Sequence, residues 1–373
     1  MSNIPKPERV YGLMVIFIKT LGSRSMDIYS QKLAENLDVP IISTDIYSRV
    51  ARSFNIPLIS RESLRNALKD LSFIKMLNEL NSIVHLPNHH LGRYGCFLKK
   101  PFIITVHDLI RFFDLKGYSL FIHKPNLRDR IYLELDYRGI RKAKKIIAVS
   151  HCTRKDLIMH LGVPEDRIEV IYEGVDHKIF KPSRSRRPID NPYVLYVGSE
   201  QPRKNIHTLL KAFKRVKEKR EFEDLKLVKV GGAGGADFRK STNDMINLLK
   251  LQEDVIFTGF VPTELLPAYY SHAECLVLPS FYEGFGLPCV EAMACGCPVI
   301  ASNTSSLPEI VGDAGLMVNP RSVDDLAEAL HRLLTDDGLR QEMISRGLKR
   351  AAEFSWEKTA RETRKVYEDV EGV

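Results

Sequence analysis

Short apolar runs alternate with amphipathic stretches along most of the chain, and this pattern predicts strands and helices in turn. In the first half, the strand candidates are residues 10–18, 82–86, 102–105, 145–149 and 168–171. The helix candidates between them are residues 26–37, 64–80, 127–142 and 153–161. Continuous apolar strands that alternate with helices form parallel sheets covered on both faces, so the pattern predicts an α/β fold.

The alternation lapses at residues 180–188, a polar, proline-containing stretch typical of a domain linker, and then restarts. In the second half, the strand candidates are residues 193–197, 225–230, 255–258, 274–278 and 298–301, and the helix candidates are residues 206–217, 263–270, 288–294, 324–334 and 338–353. The repeated pattern predicts two doubly wound domains, residues 1–180 and 181–355, which should face each other across a ligand-binding cleft. A last helix within residues 356–373 is expected to pack back on the first domain.

The composition fits a globular chain with two cores. The 373 residues are 44% hydrophobic and 27% charged, and a chain of this length can bury two cores without further cross-links. Residues 1–178 hold 28 Lys and Arg against 19 Asp and Glu, a net +9, whereas the remainder hold 27 against 28, a net −1. This asymmetry predicts either an acidic partner, such as nucleic acid, an anionic membrane surface or a phosphorylated acceptor, or a well-solvated basic surface.

The cysteines and the first apolar run indicate the compartment. The six cysteines follow no metal-ligand spacing, so we expect a reduced, cytoplasmic chain. The run at residues 10–18 is short, contains Gly12 and is closed by Lys19, which favours a buried first strand over a signal sequence or a membrane span. Any membrane contact is therefore expected to be peripheral.

The strongest candidate for chemistry is the loop that follows the predicted strand 274–278. Gly284 and Gly286 let the backbone approach a ligand closely, and Pro288 suits the first turn of a helix. The exposed amides and the dipole of a helix start bind anions such as phosphate. Glu283 precedes the glycines and Glu291 lies about one turn into the helix, where a carboxylate can accept paired hydrogen bonds from a diol. By itself the segment is equally compatible with a turn that carries surface glutamates.

A second loop strengthens this hypothesis. Residues 197–205 also follow a predicted strand and precede a predicted helix, which places Arg203 and Lys204 at the carboxyl end of a strand. We expect both loops to open on the same edge, where two cations that face a helix start would hold a diphosphate and stabilise a leaving group. The alternative is a solvated loop, the usual location of such charges.

These residues resemble the signature of the retaining glycosyltransferases of family 4, which include mannosyltransferases. The resemblance is carried by Glu-Gly-Phe-Gly-Leu-Pro at residues 283–288, then Glu-Ala-Met-Ala at 291–294 and Gly-Cys-Pro-Val at 296–299. Further segments that resemble the family are residues 105–109, 143–150, 173–176, 257–261, 307–310 and 313–316. The resemblance implies the GT-B fold, in which two Rossmann-like domains face each other across a cleft.

The resemblance also implies roles for individual residues. Glu283 would contact hydroxyls of the transferred sugar, and His107 would meet that sugar from the first domain. Arg203 and Lys204 would bind the diphosphate, and Glu291 would bind the ribose hydroxyls. The implied donor-binding residues approach the sugar, the phosphates or the nucleobase, and they are Gly22, Gly198, Val261, Phe285, Gly286, Leu287 and Glu291.

The chain departs from the family pattern at two positions. Ser199 stands where many relatives carry an arginine, which Arg203 could replace. The first-turn pair of glycines is Gly22-Ser23 in this chain, so the close phosphate contact expected at a second glycine falls on a serine.

The implied reaction moves a hexose, either mannose from GDP-mannose or glucose from UDP-glucose, to a hydroxyl of a glycan or lipid-linked acceptor. We expect same-face attack, with an oxygen of the leaving phosphate helping to remove the acceptor proton. No cofactor is expected, and no metal, because no Asp-x-Asp motif stands in a suitable loop. The first domain usually receives the acceptor in this fold and carries the excess positive charge, so residues 99–100 and 141–145 are candidates for contact with an anionic membrane.

Two other hypotheses stay open. A nucleotide-sugar epimerase of the same fold would act without an acceptor. A nucleic-acid-binding protein would use the basic first half, but the chain lacks an aromatic and basic pattern for base stacking, so nucleic acid is not the expected partner.

Overall fold

The computed structural model describes residues 15–20, 25–44, 61–118 and 122–372. Contacts divide the chain into two compact units. The first unit contains Met1–Tyr118, Lys124–Glu173 and Trp356–Val373, and the second contains Ser119–His123 and Gly174–Ser355. Apart from the short segment Ser119–His123, the chain passes between the units after Glu173 and again after Ser355. Residues 174–180, which were expected in the first domain, lie in the second unit.

The described part of the first unit forms a parallel sheet with helices between its strands. The strands are β1 (Val15–Thr20), β2 (Ile41–Thr44), β3 (Ile83–Leu86), β4 (Phe102–Val106), β5 (Lys145–Ala148) and β6 (Ile168–Val170). They lie in the order β2-β1-β3-β4-β5-β6. The α-helices are Ser25–Leu37, Arg61–Glu79, Gly92–Gly95, Ile110–Lys116, Leu127–Lys142, His151–Leu161 and Trp356–Glu371.

The second unit repeats this architecture with a second parallel sheet. The strands are β7 (Tyr193–Val197), β8 (Lys226–Val230), β9 (Val255–Gly259), β10 (Cys275–Leu278), β11 (Val299–Ser302) and β12 (Leu316–Val318), in the order β12-β11-β10-β7-β8-β9. The α-helices are Ile206–Lys217, Ala236–Leu249, Leu266–Ser271, Leu287–Ala294, Leu307–Val311, Val323–Thr335 and Asp337–Ala351. The predicted α/β class and the two parallel sheets are confirmed.

Several elements were absent from the sequence-based prediction, and most of them are short or sparsely apolar. β2 and β12, of four and three residues, were not predicted. The Ala236–Leu249 helix buries only Thr242 and Ile246 fully, so its apolar stripe is thin. The predicted first strand, residues 10–18, is observed as β1, and its first five residues lie outside the described part of the chain.

The order of strands in the second unit positions the candidate site. β7 pairs with β8 on one side and with β10 on the other, in parallel, so the strand order reverses at this point. In open α/β sheets, ligands bind beyond the carboxyl ends of the strands at such a switch point. The loops after β7 and β10 are the two loops singled out in the sequence.

The last helix, Trp356–Glu371, packs on the first unit. Trp356, Ala360, Val366 and Tyr367 share a buried cluster with the Ser25–Leu37 helix. Tyr367 also lies 2.7 Å from Nδ1 of the buried His85. The end of the chain is thus part of the core of the first unit.

Candidate active site

Two loops of the second unit meet at the carboxyl edge of the sheet. The register of β7 and β10 pairs Val194 with Cys275 and Leu195 with Leu276, so both strands end at the same level. Beyond them, the amide of Phe281 donates to the carbonyl of Arg203 at 2.7 Å. The expectation that both loops share one edge of the sheet is confirmed.

Glu283 is the centre of a buried ion cluster in these loops. Lys204 Nζ lies 2.6 Å from Glu283 Oε1, and Arg203 Nη1 lies 2.9 Å from Oε2. The hydroxyl of Ser280 donates to Oε1 at 2.6 Å. Glu283 is 6% exposed and Lys204 is 8% exposed, so both charges lie largely out of water. Burial lowers the pKa of the Lys204 ammonium group, and the adjacent carboxylate of Glu283 opposes that shift.

The protonation state of Glu283 follows from these partners. Burial by itself raises the pKa of its carboxyl, but the charges of Lys204 and Arg203 and their hydrogen bonds outweigh burial and lower that pKa to about 2. Glu283 is therefore a carboxylate at any physiological pH and can only accept hydrogen bonds. It cannot act as a general acid toward a leaving group.

Sequence reasoning treated the cations and the carboxylate as separate parts. Arg203 and Lys204 were expected to hold a diphosphate and Glu283 to contact a sugar, whereas the structure joins the three side chains. A ligand phosphate that approaches the cations would therefore also approach Glu283. It would bind only if its attraction to Arg203 and Lys204 exceeds its repulsion by the carboxylate. The individual roles of these residues stay predictions.

Three serines that the sequence analysis missed hold the Glu283 loop. Besides the Ser280 hydroxyl, Ser305 Oγ accepts from the amide of Glu283 at 3.0 Å. Ser306 Oγ donates to the carbonyl of Glu283 at 3.0 Å and to that of Phe285 at 2.8 Å. The signal was the polar run at residues 302–306. It begins at the last residue of β11, the neighbour of β10, and therefore lies at the same edge of the sheet.

Gly286 sets the start of the helix that follows. It is the N-cap residue of the Leu287–Ala294 helix and adopts a left-handed φ of 107°. A Cβ atom at this position would lie 2.6 Å from Cδ2 of Leu307, closer than real Cβ contacts. The requirement for glycine inferred from the sequence is thus explained by both conformation and space. The helix start, with Phe285 buried beside it, provides the positive end of a dipole at the site.

Glu291 has a defined partner on a neighbouring helix. The hydroxyl of Tyr270 donates to Glu291 Oε2 at 2.7 Å. Burial and the adjacent carboxylate raise the pKa of Tyr270 well above its usual value, so the phenol keeps its proton and remains a donor. Glu291 is therefore held in one orientation near the helix start, and its expected contact with a ribose stays a prediction.

A second buried ion cluster joins the loop after β7 to the glycine-rich loop after β8. Lys229, fully buried on β8, lies 3.0 Å from Glu200, and Arg239 lies 2.6 Å from the same Glu200 oxygen. Lys229 also donates to the carbonyls of Gly231 and Gly232, at 2.6 and 2.9 Å. Sequence reasoning missed this cluster because Lys229 stands inside an apolar strand pattern, where a buried lysine is not expected.

The remaining donor-binding candidates of the second unit lie on the same edge. Gly198 directly follows β7, and a Cβ at Gly231 would lie 3.1 Å from its carbonyl oxygen. Val261 is buried and follows β9, so β7 and β8 separate it from β10. Gly22 lies outside the described residues, and the expectation attached to it stays a prediction.

His107 belongs to the first unit, just beyond the carboxyl end of β4. It is 7% exposed. Its Nδ1 lies 2.9 Å from Glu173 Oε1, and its Nε2 lies 2.9 Å from the carbonyl oxygen of Pro87. Burial lowers the pKa of the imidazole, but the hydrogen bond and charge of Glu173 more than offset burial and raise it. Sequence reasoning selected His107 and missed Glu173.

Four of the six basic side chains proposed for membrane contact have partners within the first unit, whereas Lys99 and Lys144 are exposed. Lys100 Nζ donates to the carbonyls of residues 80 and 82, and Lys142 Nζ donates to those of residues 96 and 98. Arg141 donates to the carbonyl of Leu161, and Lys145 pairs with Asp369 at 2.7 Å. These side chains cap carbonyls and pair with an acid, so the prediction that they contact a membrane loses much of its support.

The described residues hold neither a metal-binding cluster nor a membrane-spanning helix. In residues 15–20, 25–44, 61–118 and 122–372, no group of three or more His, Cys, Asp or Glu is placed to hold a metal ion. Across the same ranges, no helix combines the length and apolar character needed to cross a bilayer. The expectation that the reaction needs no metal stays a prediction.

Comparisons with known proteins agree with the signature in the sequence. The family model "Glycosyl transferases group 1" matches residues 178–350, and the model "Glycosyltransferase Family 4" matches residues 28–179. The O-antigen chain mannosyltransferase B of Escherichia coli is 30% identical in an alignment that covers 84% of this chain and 94% of that protein. The MMP alpha-(1->4)-mannosyltransferase of Mycolicibacterium hassiacum is 33% identical over 64% of this chain and 57% of its own length.

A solved structure matches across almost the whole chain. The sucrose-phosphate synthase of Thermosynechococcus elongatus superposes with a TM-score of 0.76 and 25% identity, over 96% of this chain and 99% of that one. Together with the two parallel α/β units and the site at the switch point of the second sheet, these matches establish the family. The chain belongs to the group 1 glycosyltransferases of family 4 and is a glycosyltransferase of the GT-B fold.

Proposed function

We propose that this glycosyltransferase moves a hexose, in the first instance mannose, from a nucleoside-diphosphate sugar to a hydroxyl of a glycan or lipid-linked acceptor, with retention at the anomeric carbon. The observation that carries the proposal is the buried cluster of Arg203, Lys204 and Glu283 beside the start of the Leu287–Ala294 helix. The choice of mannose is supported by the names of the two mannosyltransferases reported above.

The geometry suits departure of an anionic diphosphate. Cleavage of the glycosyl–phosphate bond leaves positive charge on the sugar and negative charge on the phosphate. Arg203, Lys204 and the positive end of the helix dipole offer fixed donors where that negative charge develops. Because Lys204 is buried, its interaction with the phosphate is only weakly screened by water.

Glu283 suits sugar positioning better than covalent catalysis. Retaining glycosidases use a nucleophilic carboxylate with a second carboxyl as the acid. Here both oxygens of Glu283 already accept from Lys204, Arg203 or Ser280, and the low pKa of its carboxyl removes it as an acid. We therefore propose that Glu283 orients the two cations and accepts hydrogen bonds from sugar hydroxyls. The leaving phosphate then removes the proton of the acceptor hydroxyl.

The donor is tested first by ligand-induced thermal stabilisation. The purified protein is heated with GDP-mannose, UDP-glucose and other nucleotide sugars. A ligand at 100 times its Kd stabilises the folded protein by about 2.7 kcal/mol. We expect GDP-mannose to raise Tm most, and the Arg203→Ala/Lys204→Ala variant to lose most of that rise. Stabilisation by no nucleotide sugar would refute the donor assignment.

Transfer is tested next with the stabilising donor and a panel of glycan and lipid-linked acceptors. We expect a product heavier by one hexose, with the anomeric configuration of the donor as measured by NMR. Conversion of the donor to its epimer without an acceptor would favour the epimerase hypothesis, and an inverted anomeric centre would overturn retention.

We further propose that the acceptor is anionic or lies at an anionic membrane surface. In the first unit, an open groove is lined by Lys116, Arg130 and Arg138, with Glu134 as the acid and Leu115, Ile131 and Leu135 as the apolar residues. Nearby on the same helix Leu127 is 68% exposed. The mixture of cations and exposed aliphatic groups supports contact with anionic lipid.

The membrane proposal is tested by co-sedimentation with vesicles of neutral and anionic lipid at increasing salt. Each Lys or Arg near an anionic membrane contributes about 1 kcal/mol, so Arg130→Ala/Arg138→Ala should weaken binding roughly 30-fold. The control is Arg184→Ala/Arg186→Ala, which removes two exposed arginines of the second unit. Equal binding to both lipids, with efficient transfer to a neutral soluble sugar, would overturn the proposal.

A further inference from the structure

The two ring nitrogens of His107 both face oxygens that can only accept hydrogen bonds. Nε2 lies 2.9 Å from the carbonyl oxygen of Pro87, and Nδ1 lies 2.9 Å from Oε1 of Glu173. A carbonyl has no proton to give, and an ionised carboxylate has none either. Both contacts are satisfied together only when the ring donates from both nitrogens, as an imidazolium.

The other groups around His107 are consistent with one positive charge on this ring. His89 Nδ1 accepts from the amide of His107 at 3.3 Å, which requires an unprotonated nitrogen. Burial, His90 and His107 all lower the pKa of His89. Burial and then the charge of His107 lower the pKa of His85 to about 3, so both neighbouring histidines stay neutral.

The remaining neighbours complete the surroundings of the ring. The edge of the Tyr29 ring packs against His107 at a centroid distance of 4.7 Å. Burial raises the pKa of Tyr29, so the phenol keeps its proton and carries no charge. Asp108 adds a further negative charge that favours the imidazolium. Among the groups around His107, the carboxylate of Glu173 therefore contributes most to raising the pKa of the imidazole.

Glu173 is itself held at a defined place in the chain. It stands three residues after β6 and is the last residue of the first unit before the chain passes into the second. It is 8% exposed. The carbonyl of the preceding Tyr172 accepts from Thr359 Oγ1 of the last helix at 2.8 Å, which anchors the segment to the core of the first unit.

We propose that Glu173 is a positioning residue for His107, which it holds as a doubly protonated, fixed cation rather than as a base. In that state the ring is the cationic half of an ion pair with Glu173, and it has no lone pair with which to accept a proton from a sugar hydroxyl. The part of this inference that concerns the reaction rests on the proposed function and on the expectation, implied by the family resemblance, that His107 meets the transferred sugar.

The test separates the state of the ring from the reaction. Ring ¹⁵N NMR of the unliganded wild-type protein should show both His107 nitrogens protonated at pH 7. An opposite charge at this distance shifts a pKa by about 1–3 units, so in Glu173→Gln the ring should titrate at a pH lower by about that amount. The alkaline limb of the kcat/KM profile should move in the same direction, and Glu173→Asp should restore part of both shifts.

The matched control is Glu169→Gln, the same substitution four residues earlier, on β6. Its side chain is 51% exposed, and it should leave the ring titration and the pH profile unchanged. A His107 ring with one unprotonated nitrogen at pH 7 in the wild type, or an unshifted titration in Glu173→Gln, would overturn the proposal. A shifted titration with an unshifted kcat/KM profile would overturn the part that concerns the reaction.

Failure of the donor assignment gives a different result. If no nucleotide sugar is bound or turned over, the proposed function fails, and the NMR titration still decides whether Glu173 holds the imidazolium.

Discussion

Replacement of Glu283 by glutamine removes the negative charge at the centre of the ion cluster and keeps the shape of the side chain. Loss of one partner from a buried pair costs about 3–5 kcal/mol, because it leaves an uncompensated charge out of water. Here Lys204 and Arg203 would both lose the carboxylate of Glu283 as an ion-pair partner. The pKa of Glu283 reflects the same interactions, and its fall from 4.5 to about 2 corresponds to about 3 kcal/mol of stability at neutral pH.

The sign of the pH dependence distinguishes this explanation from a loss of packing. A carboxyl whose pKa is lower in the folded state stabilises the fold above its unfolded pKa, and the stabilisation disappears as pH falls toward the folded value. The stabilisation by Glu283 should thus be complete above about pH 5 and fall to roughly 1 kcal/mol at pH 3. Urea unfolding of wild type and Glu283→Gln at pH 7 and near pH 3 measures both quantities.

We expect the variant to be less stable by about 3 kcal/mol at pH 7 and the difference to shrink by more than half near pH 3. Glu264→Gln, at an exposed position in the same unit, is the control and should change stability by less than about 0.5 kcal/mol at either pH. A difference between wild type and Glu283→Gln that is the same at both pH values would refute the electrostatic explanation.

Three further predictions concern the loops of the second unit. Arg203→Ala/Lys204→Ala should lower kcat at least 10²–10³-fold, because loss of one donor to a developing oxyanion costs about 2.7–4 kcal/mol. Near-normal kinetics of the folded variant would show that neither side chain takes part in catalysis. Glu291→Gln should weaken nucleoside-diphosphate binding, measured by calorimetry, with little change in kcat; an unaltered Kd would exclude the ribose contact. Gly286→Ala should lower the free energy of unfolding by roughly 1–3 kcal/mol, because φ is 107° and the new Cβ would meet Leu307; unchanged stability in urea would show that the loop relaxes easily.

Much of the fold was predictable because its signals are local. The helices Leu127–Lys142 and Ile206–Lys217 and the strand Tyr193–Val197 have the predicted bounds. Both helices are preceded by an asparagine, a residue that favours a helix start. The Ala236–Leu249 helix was missed because few of its side chains are buried. Glu200 and Lys229 were missed because their pairing depends on two strands that are neighbours in the sheet.

The sequence alone determined the α/β class, the family and the loops that carry the candidate site, because strand–helix alternation, glycines and a helix start are properties of short segments. Only the tertiary structure decided how the charges of those loops combine. Glu283 meets Lys204, 79 residues earlier, because β7 and β10 are adjacent. Glu173 meets His107, 66 residues earlier, because β4, β5 and β6 are successive neighbours in the other sheet. The burial that sets these pKa values is a property of the assembled sheets and cannot be inferred from short segments of sequence.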